Sequence, residues 1–460
     1  MRGVVVDFEA WLCERQRKGF RKFEVSWTAD KLTRLSATIA GPDRANLARA
    51  YNQPMPDHQP SRRAWLVVLI LFAGSVLNYV DRSVLAVVKP HLQRDLSLNN
   101  FQYGLAVNSF LISYSVLYIL GGRLADRFGY RRMFPINVAF WSMACMLHSL
   151  TRGLGSLCLF RGLLGVGEGG FYPSAIRGTS ELFGPEERAK PVGVLMCGLS
   201  VGALITPPIV AWFTYHYGWR AAFAVTGAAG LLLIPAWELL QRGTVSPAPA
   251  TPAGSRAGLF SVLTHRKYLC LLLARAVTDA VWTFYLFWMP GYFQEGRGFD
   301  LRAVGMLLWI PFLCADIGAL AGGWASSELI RRGWSINRSR KTVLFIAASL
   351  GILGVLVPAT HSAGVALALV GAVLFGQLAW TSNIHTSLTE IAPQEHVAVL
   401  YGITGAAGNG LGALAQPLIG RTVDTSGYNP AFLWAGLTYV AAIAFVAAMG
   451  KIEPIKRRIT

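Results

Sequence analysis

Twelve stretches of this 460-residue chain are mainly apolar over about 20 residues, the length an α-helix needs to cross a bilayer. They fall at 65–88, 101–122, 133–151, 155–176, 192–215, 219–240, 268–292, 303–325, 342–360, 364–388, 397–422 and 429–450. The expected fold is therefore all-α, with twelve transmembrane helices in a lipid bilayer. Composition agrees, since hydrophobic residues make up 53% of the chain and charged ones 14%, a balance foreign to a soluble globule of this length.

The formal net charge of +18 invites a nucleic-acid reading, but the basic residues gather between alternate runs rather than on one face. Arg123, Arg127, Arg131 and Arg132 follow the second run, Arg177, Arg188 and Lys190 the fourth, and Arg331, Arg332, Arg338, Arg340 and Lys341 the eighth. Arg62 and Arg63 precede the first, and Lys456, Arg457 and Arg458 follow the last. The positive-inside rule then places both termini in the cytoplasm of a multi-pass inner-membrane protein. Charge sets orientation, and no nucleic-acid partner is expected. Of the six cysteines, Cys145, Cys158, Cys197, Cys270 and Cys314 lie in the runs without a metal-type spacing, so neither metal nor cofactor is implied and packing is their expected role.

Residues 1–63 carry mixed charge, no long apolar run and a turn-rich end at Asn52-Gln-Pro-Met-Pro. They read as a disordered cytosolic extension or, preferably, as residues upstream of a start at Met55, so that 1–54 are expected to be dispensable. Residues 64–240 form a first six-helix bundle, 241–266 a Pro/Ala/Ser-rich cytosolic linker, 267–450 a second six-helix bundle and 451–460 a cytosolic tail. The halves echo each other about 200 residues apart. Gly121-Gly-Arg-Leu-Ala-Asp-Arg recurs weakly as Gly322-Gly-Trp-Ala-Ser-Ser-Glu, and Gly218-Trp-Arg-Ala-Ala-Phe as Gly427-Tyr-Asn-Pro-Ala-Phe. Repeated bundles of this kind imply a site at the interface of two rocking halves.

Four charges inside the runs point to the chemistry: Asp81 and Arg82 in the first, Arg161 and Glu168 in the fourth. A charge at that depth costs several kcal/mol unless paired or bathed in a wet cavity, and usually marks an ion or substrate path. Asp81 and Arg161 are expected at similar depth, close enough to pair, with Glu168 two helical turns or ~10 Å deeper on the face of Arg161. An arginine favours the ionised form of a neighbouring carboxyl and desolvation the neutral form, so moving the arginine toggles proton affinity. That assigns Asp81 and Glu168 to proton coupling. Arg82 offers a planar fork matched to a substrate carboxylate, and Tyr79 and Tyr114 add hydroxyls suited to a polyol. A purely structural network, in which Arg82 and Arg161 neutralise the two acids, is the alternative.

In the second half Arg275 and Asp279 stand at i, i+4 and pair with each other, unless Arg275 reaches Asp316. Trp282 and Tyr285 offer faces to a sugar ring or simply pack, and Asn383 and Asn409 are amides at depth that suit substrate binding. Gly165, Gly167, Gly169 and Gly170 follow no strand and serve close helix packing rather than phosphate binding. Histidines His148 and His385 lie near run ends, where interfacial roles outweigh proton relay.

The segment Gly122-Arg-Leu-Ala-Asp-Arg-Phe-Gly-Tyr-Arg-Arg resembles the signature of the major facilitator superfamily, and span count, linker and repeats fit it from about residue 62 onward. Asn78-Tyr-Val-Asp-Arg, Arg161 through Glu168 to Pro173, Trp288-Met-Pro-Gly-Tyr and Arg332-Gly-Trp-Ser-Ile-Asn-Arg resemble its anion:cation symporters, and the last two motifs with Trp380-Thr-Ser-Asn its hexuronate branch. The resemblance implies protonation at Asp81 and Glu168, anion binding at Arg82, and a cytoplasmic latch at Gly122, Asp126, Arg127 and Arg131. In the second copy of the signature Ser327 replaces the aspartate, which leaves the latch to the first.

The expected function is proton-coupled import of a small organic anion, a hexuronate or related sugar acid, by alternating access in a monomer, with sodium the alternative to the proton as coupling ion. The alternative within transport is an exporter or a carrier of an aromatic acid or dicarboxylate; a membrane receptor or enzyme is remote, because the runs hold no nucleophile–base set.

Overall fold

The computed structural model describes residues 62–183, 187, 189–241, 259–393 and 396–455, apart from the side chains of Asp126, Ala189, Leu259 and Ala398. Residues 1–61 of the N-terminal extension, residues 242–258 of the linker, Arg188 and the last five residues with Lys456, Arg457 and Arg458 lie outside the described residues.

Every regular element among the described residues is helical. The first half contains α1 (Arg62–Val87), α2 (Lys89–Leu96), α3 (Asn100–Phe128), α4 (Tyr130–Leu147), α5 (Leu154–Gly169), α6 (Phe171–Leu182), α7 (Ala189–Tyr217), α8 (Trp219–Leu231) and α9 (Leu233–Gln241). The second contains α10 (Leu259–Leu263), α11 (Arg266–Gly291), α12 (Leu301–Leu307), α13 (Trp309–Arg331), α14 (Ile336–Ile352), α15 (Ala363–Ile391), α16 (Val397–Ser426) and α17 (Asn429–Ala448). Ten segments among the described residues are long and apolar enough to cross a membrane. The other two expected runs are also helical. The run at 155–176 breaks at Gly170 into α5 and α6, each short alone. The run at 397–422 lies within α16, which is continuous over 30 residues.

Packing follows the repeat. In the first half α3 lies on α5 and α1 on α7; in the second α13 and α14 pack on α15. The halves meet where α3 lies against α16, α7 against α12 and α13, and α1 against α11. The tail returns to the second half, where Ile455 donates to the Ile391 carbonyl at 3.0 Å and Lys267 pairs with Glu453 at 3.0 Å.

The signature segment is helix rather than loop. Asn99 and Gln102 cap the start of α3 reciprocally, at 2.8 and 3.0 Å, and α3 runs on through 122–128. It stops only at Gly129, whose φ of 75° suits a residue without Cβ, and Tyr130 already begins α4. Arg127 and Arg131 lie over the rings of Phe128 and Tyr130 at 5.4 and 5.8 Å. The expected latch turns on the Asp126 side chain, which lies outside the described residues.

The glycines of α5 let it sit against its neighbours. A Cβ at Gly167 would stand 2.7 Å from the Trp141 backbone nitrogen and 2.8 Å from its Cα on α4, and at Gly162 it would meet nothing within 4 Å. Gly167→Ala should therefore force backbone to move and cost about 1–3 kcal/mol. Thermal unfolding in detergent checks this against Gly162→Ala, which should unfold with the wild type; equal midpoints for the two variants would refute the packing role.

Candidate functional site

A cavity of about 610 Å³ lies between the halves, walled by α1, α3, α6 and α7 on one side and α11, α13, α15 and α16 on the other. Tyr79, Arg82 and Tyr114 line it from the first half and Trp282 from the second, all four expected at the site. It extends along α6 and α7 to Ile176 and Val192, toward the basic end of the molecule. Its walls are otherwise largely aromatic and aliphatic, which suits binding of a small molecule oriented by few polar groups.

Arg82 holds the centre. Its Nε and one terminal nitrogen donate to the same Glu168 oxygen at 3.0 and 2.8 Å, and the terminal nitrogen also reaches Asn78 Oδ1 at 3.3 Å. The guanidinium lies over the Tyr114 ring at 4.5 Å, a cation–π contact that fixes its plane. The Arg82 side chain is 14% exposed and that of Glu168 0%, so the arginine meets the cavity and the carboxylate stands behind it. The other Glu168 oxygen has no hydrogen-bond partner.

The expected Asp81–Arg161 pair does not form. Consecutive helical residues point about 100° apart, so while Arg82 faces the cavity Asp81 faces away, toward Thr226 on α8 and Cys145 and Trp141 on α4. Both its oxygens are buried and lack a hydrogen-bond partner at normal distance. Arg161 instead donates weakly to the Arg82 carbonyl at 3.4 and 3.5 Å and lies 4.8 Å over the Phe110 ring. It is buried and does not line the cavity.

In the second half Arg275 pairs with Asp279 at 3.2 Å within α11, and donates to Thr404 at 2.6 Å and to the Tyr401 carbonyl at 3.3 Å. Asp316 takes no part, accepting instead from Ser200 of α7 at 2.6 Å. Tyr285 is buried against Phe284 and Phe432, and Asn383 donates to the Gly322 and Ala379 carbonyls at 3.0 Å as a tie between α13 and α15. Neither they nor Asn409 line the cavity. The amides were legible as buried polar groups, but a buried amide serves helix association equally well.

The far end of the cavity is closed by contacts that sequence reasoning missed. Lys89 Nζ pairs with Glu295 at 2.6 Å and donates to the Tyr428 hydroxyl at 3.0 Å, and Tyr428 donates to the other Glu295 oxygen at 2.7 Å. Burial lowers the Lys89 ammonium from the usual lysine range, and the adjacent Glu295 opposes this. The Asp424 carboxylate accepts from the Asn100 and Phe101 amides at the start of α3, each at 2.9 Å, where the helix dipole favours an anion. Lys89 sits just past the first apolar run and passes for an interfacial flank; only its complete burial sets it apart.

The sequence profile of the Major Facilitator Superfamily matches residues 71–416. The D-galactonate transporter of Escherichia coli O6:H1 is 27% identical over 429 residues, covering 87% of this chain and 97% of that protein. The hexuronate transporter of Bacillus subtilis is 29% identical over 406 residues, covering 85% and 94%. Among solved structures, a bacterial homologue of the human lysosomal transporter Spinster, inward-facing and unoccupied, superposes with a TM-score of 0.65 at 22% identity, covering 85% of this chain and 95% of that one. That likeness speaks for the fold.

Proposed function

Because this chain belongs to the Major Facilitator Superfamily, a family of membrane transporters and not of enzymes, we propose that it imports a hexuronate or related sugar acid together with protons, by alternating access. The observation that carries this reading is Arg82, the one basic side chain on the cavity wall among the described residues, held there by a carboxylate with no exposure of its own. The names of the hexuronate and galactonate transporters among its relatives support the substrate class.

The chemistry follows from competition for one guanidinium. With Glu168 ionised, Arg82 is neutralised from behind and a substrate anion gains little. A proton on Glu168 removes that charge, so that Arg82 turns its donors to the incoming carboxylate and the site stays electrically balanced. Proton and anion are then taken together. Asp81, buried on the opposite side of α1, is the second proton acceptor, and Tyr79 and Tyr114 meet the hydroxyls of the substrate. Orientation by the positive-inside rule makes the Lys89 end extracellular, so the cavity in this structure opens inward.

Counterflow in proteoliposomes tests the reading. Sugar acids should exchange and their uncharged parent sugars should not, and an inward proton gradient should drive accumulation. Exchange of sugars without preference for the acid would overturn it. The aromatic wall formed by Trp282, Phe312 and Tyr118 favours one competitor, a carrier of aromatic carboxylates. Better exchange of an aromatic acid than of any sugar acid would establish it.

A further inference from the structure

Among the described residues, only two groups on the wall of the cavity carry charge, Arg82 on α1 and Asp316 on α13. An anion site that keeps a carboxylate of its own works against itself unless that carboxylate has a task. Asp316 is not spent on an ion pair, because Arg275, the basic residue best placed by sequence to reach it, is engaged by Asp279. Its hydrogen-bond partner is Ser200, which donates to one oxygen at 2.6 Å across the two halves. The second oxygen is left to accept from whatever enters. The cavity thus presents donors for a carboxylate at Arg82 and acceptors for hydroxyl groups at Asp316.

We propose that Asp316, steadied by Ser200, is a specificity-determining residue that accepts hydrogen bonds from the hydroxyls of a sugar monoacid bound at Arg82 and rejects the diacid of the same carbon skeleton. The inference rests on the sugar-acid reading above and narrows it. An ionised carboxylate is acceptor-only, so it matches a hydroxyl-bearing end and leaves a second carboxylate with no donor to meet. It also repels that carboxylate directly, and like charges placed face to face are an established means of refusing the wrong partner. A hydroxylated chain end is thus favoured, and an oxidised one is refused by charge rather than by size.

Galacturonate and galactarate make the test, since they share six carbons and differ at C1, which carries the anomeric hydroxyl of the ring form in the first and a carboxylate in the second. In proteoliposomes loaded with labelled galacturonate, the wild type should prefer galacturonate over galactarate as competitor by at least about tenfold. In Asp316→Asn and in Asp316→Ser, which guards against loss of one variant to misfolding, galactarate should gain and the ratio should fall toward unity. A wild type that accepts both acids equally, or neutral variants that retain the wild-type ratio, would overturn the assignment. If the wild type exchanges neither acid, it is the sugar-acid reading that falls, which the assay distinguishes from loss of selectivity alone.

Discussion

Replacing Arg82 by lysine should reduce affinity for a sugar acid roughly tenfold to more than a hundredfold while leaving the parent sugar unaffected. The structure explains why equal charge does not rescue it. Arg82 spends Nε and one terminal nitrogen on Glu168, and that nitrogen also on Asn78, and still has its remaining donors for a ligand. Its plane is held over Tyr114 at 4.5 Å. A lysine has three donors on a point charge and no plane to stack, so pairing with Glu168 leaves no fork for the substrate. Losing a charge-assisted bond of this kind costs about 1.5–3 kcal/mol, which sets the stated range. The measurement is competition by the acid and by its parent sugar in wild type and Arg82→Lys. Unchanged affinity and discrimination would reduce Arg82 to a counter-ion of Glu168 and move the anion site elsewhere.

Glu168→Gln should abolish accumulation driven by a proton gradient, a loss of tenfold or more, and leave counterflow in place. Glutamine keeps the shape and can still accept from Arg82 through its side-chain oxygen, but it cannot bind and release a proton. Glu168 is fully buried behind the arginine. The Arg82 charge is then uncompensated until an anion arrives, and truncating one partner of a buried pair is costly to the empty protein. Substrate should accordingly stabilise the variant against heat more than it stabilises the wild type. The decisive comparison is uptake with and without an imposed pH gradient, beside counterflow at equal pH. Full gradient-driven accumulation by the variant would remove Glu168 from the coupling.

The sequence alone carried the all-helical membrane fold, because twenty-residue apolar runs have few other solutions. It also carried the presence of Asp81, Arg82, Arg161 and Glu168 as a buried constellation, since charge inside such a run is costly and conspicuous. It also set an expected height for each, because 1.5 Å per residue turns position into depth. Depth is not direction. The Asp81–Arg161 pair was expected from height, and Arg82–Glu168 formed instead because neighbouring residues leave a helix about 100° apart. The same gap explains Tyr285, Asn383 and Asn409, which lie in the expected helices yet away from the cavity. It also explains Asp316, whose partner Ser200 is 116 residues distant. The closure of Lys89 on Glu295 and of Asp424 on the start of α3 joins residues 206 and 324 positions apart. Composition and periodicity thus determine which segments are helices and which of them carry a charge, since both are properties of single helices. Which charges meet, which face water and which end of the cavity is shut depend on how helices from two halves turn toward each other, and only their packing decides that.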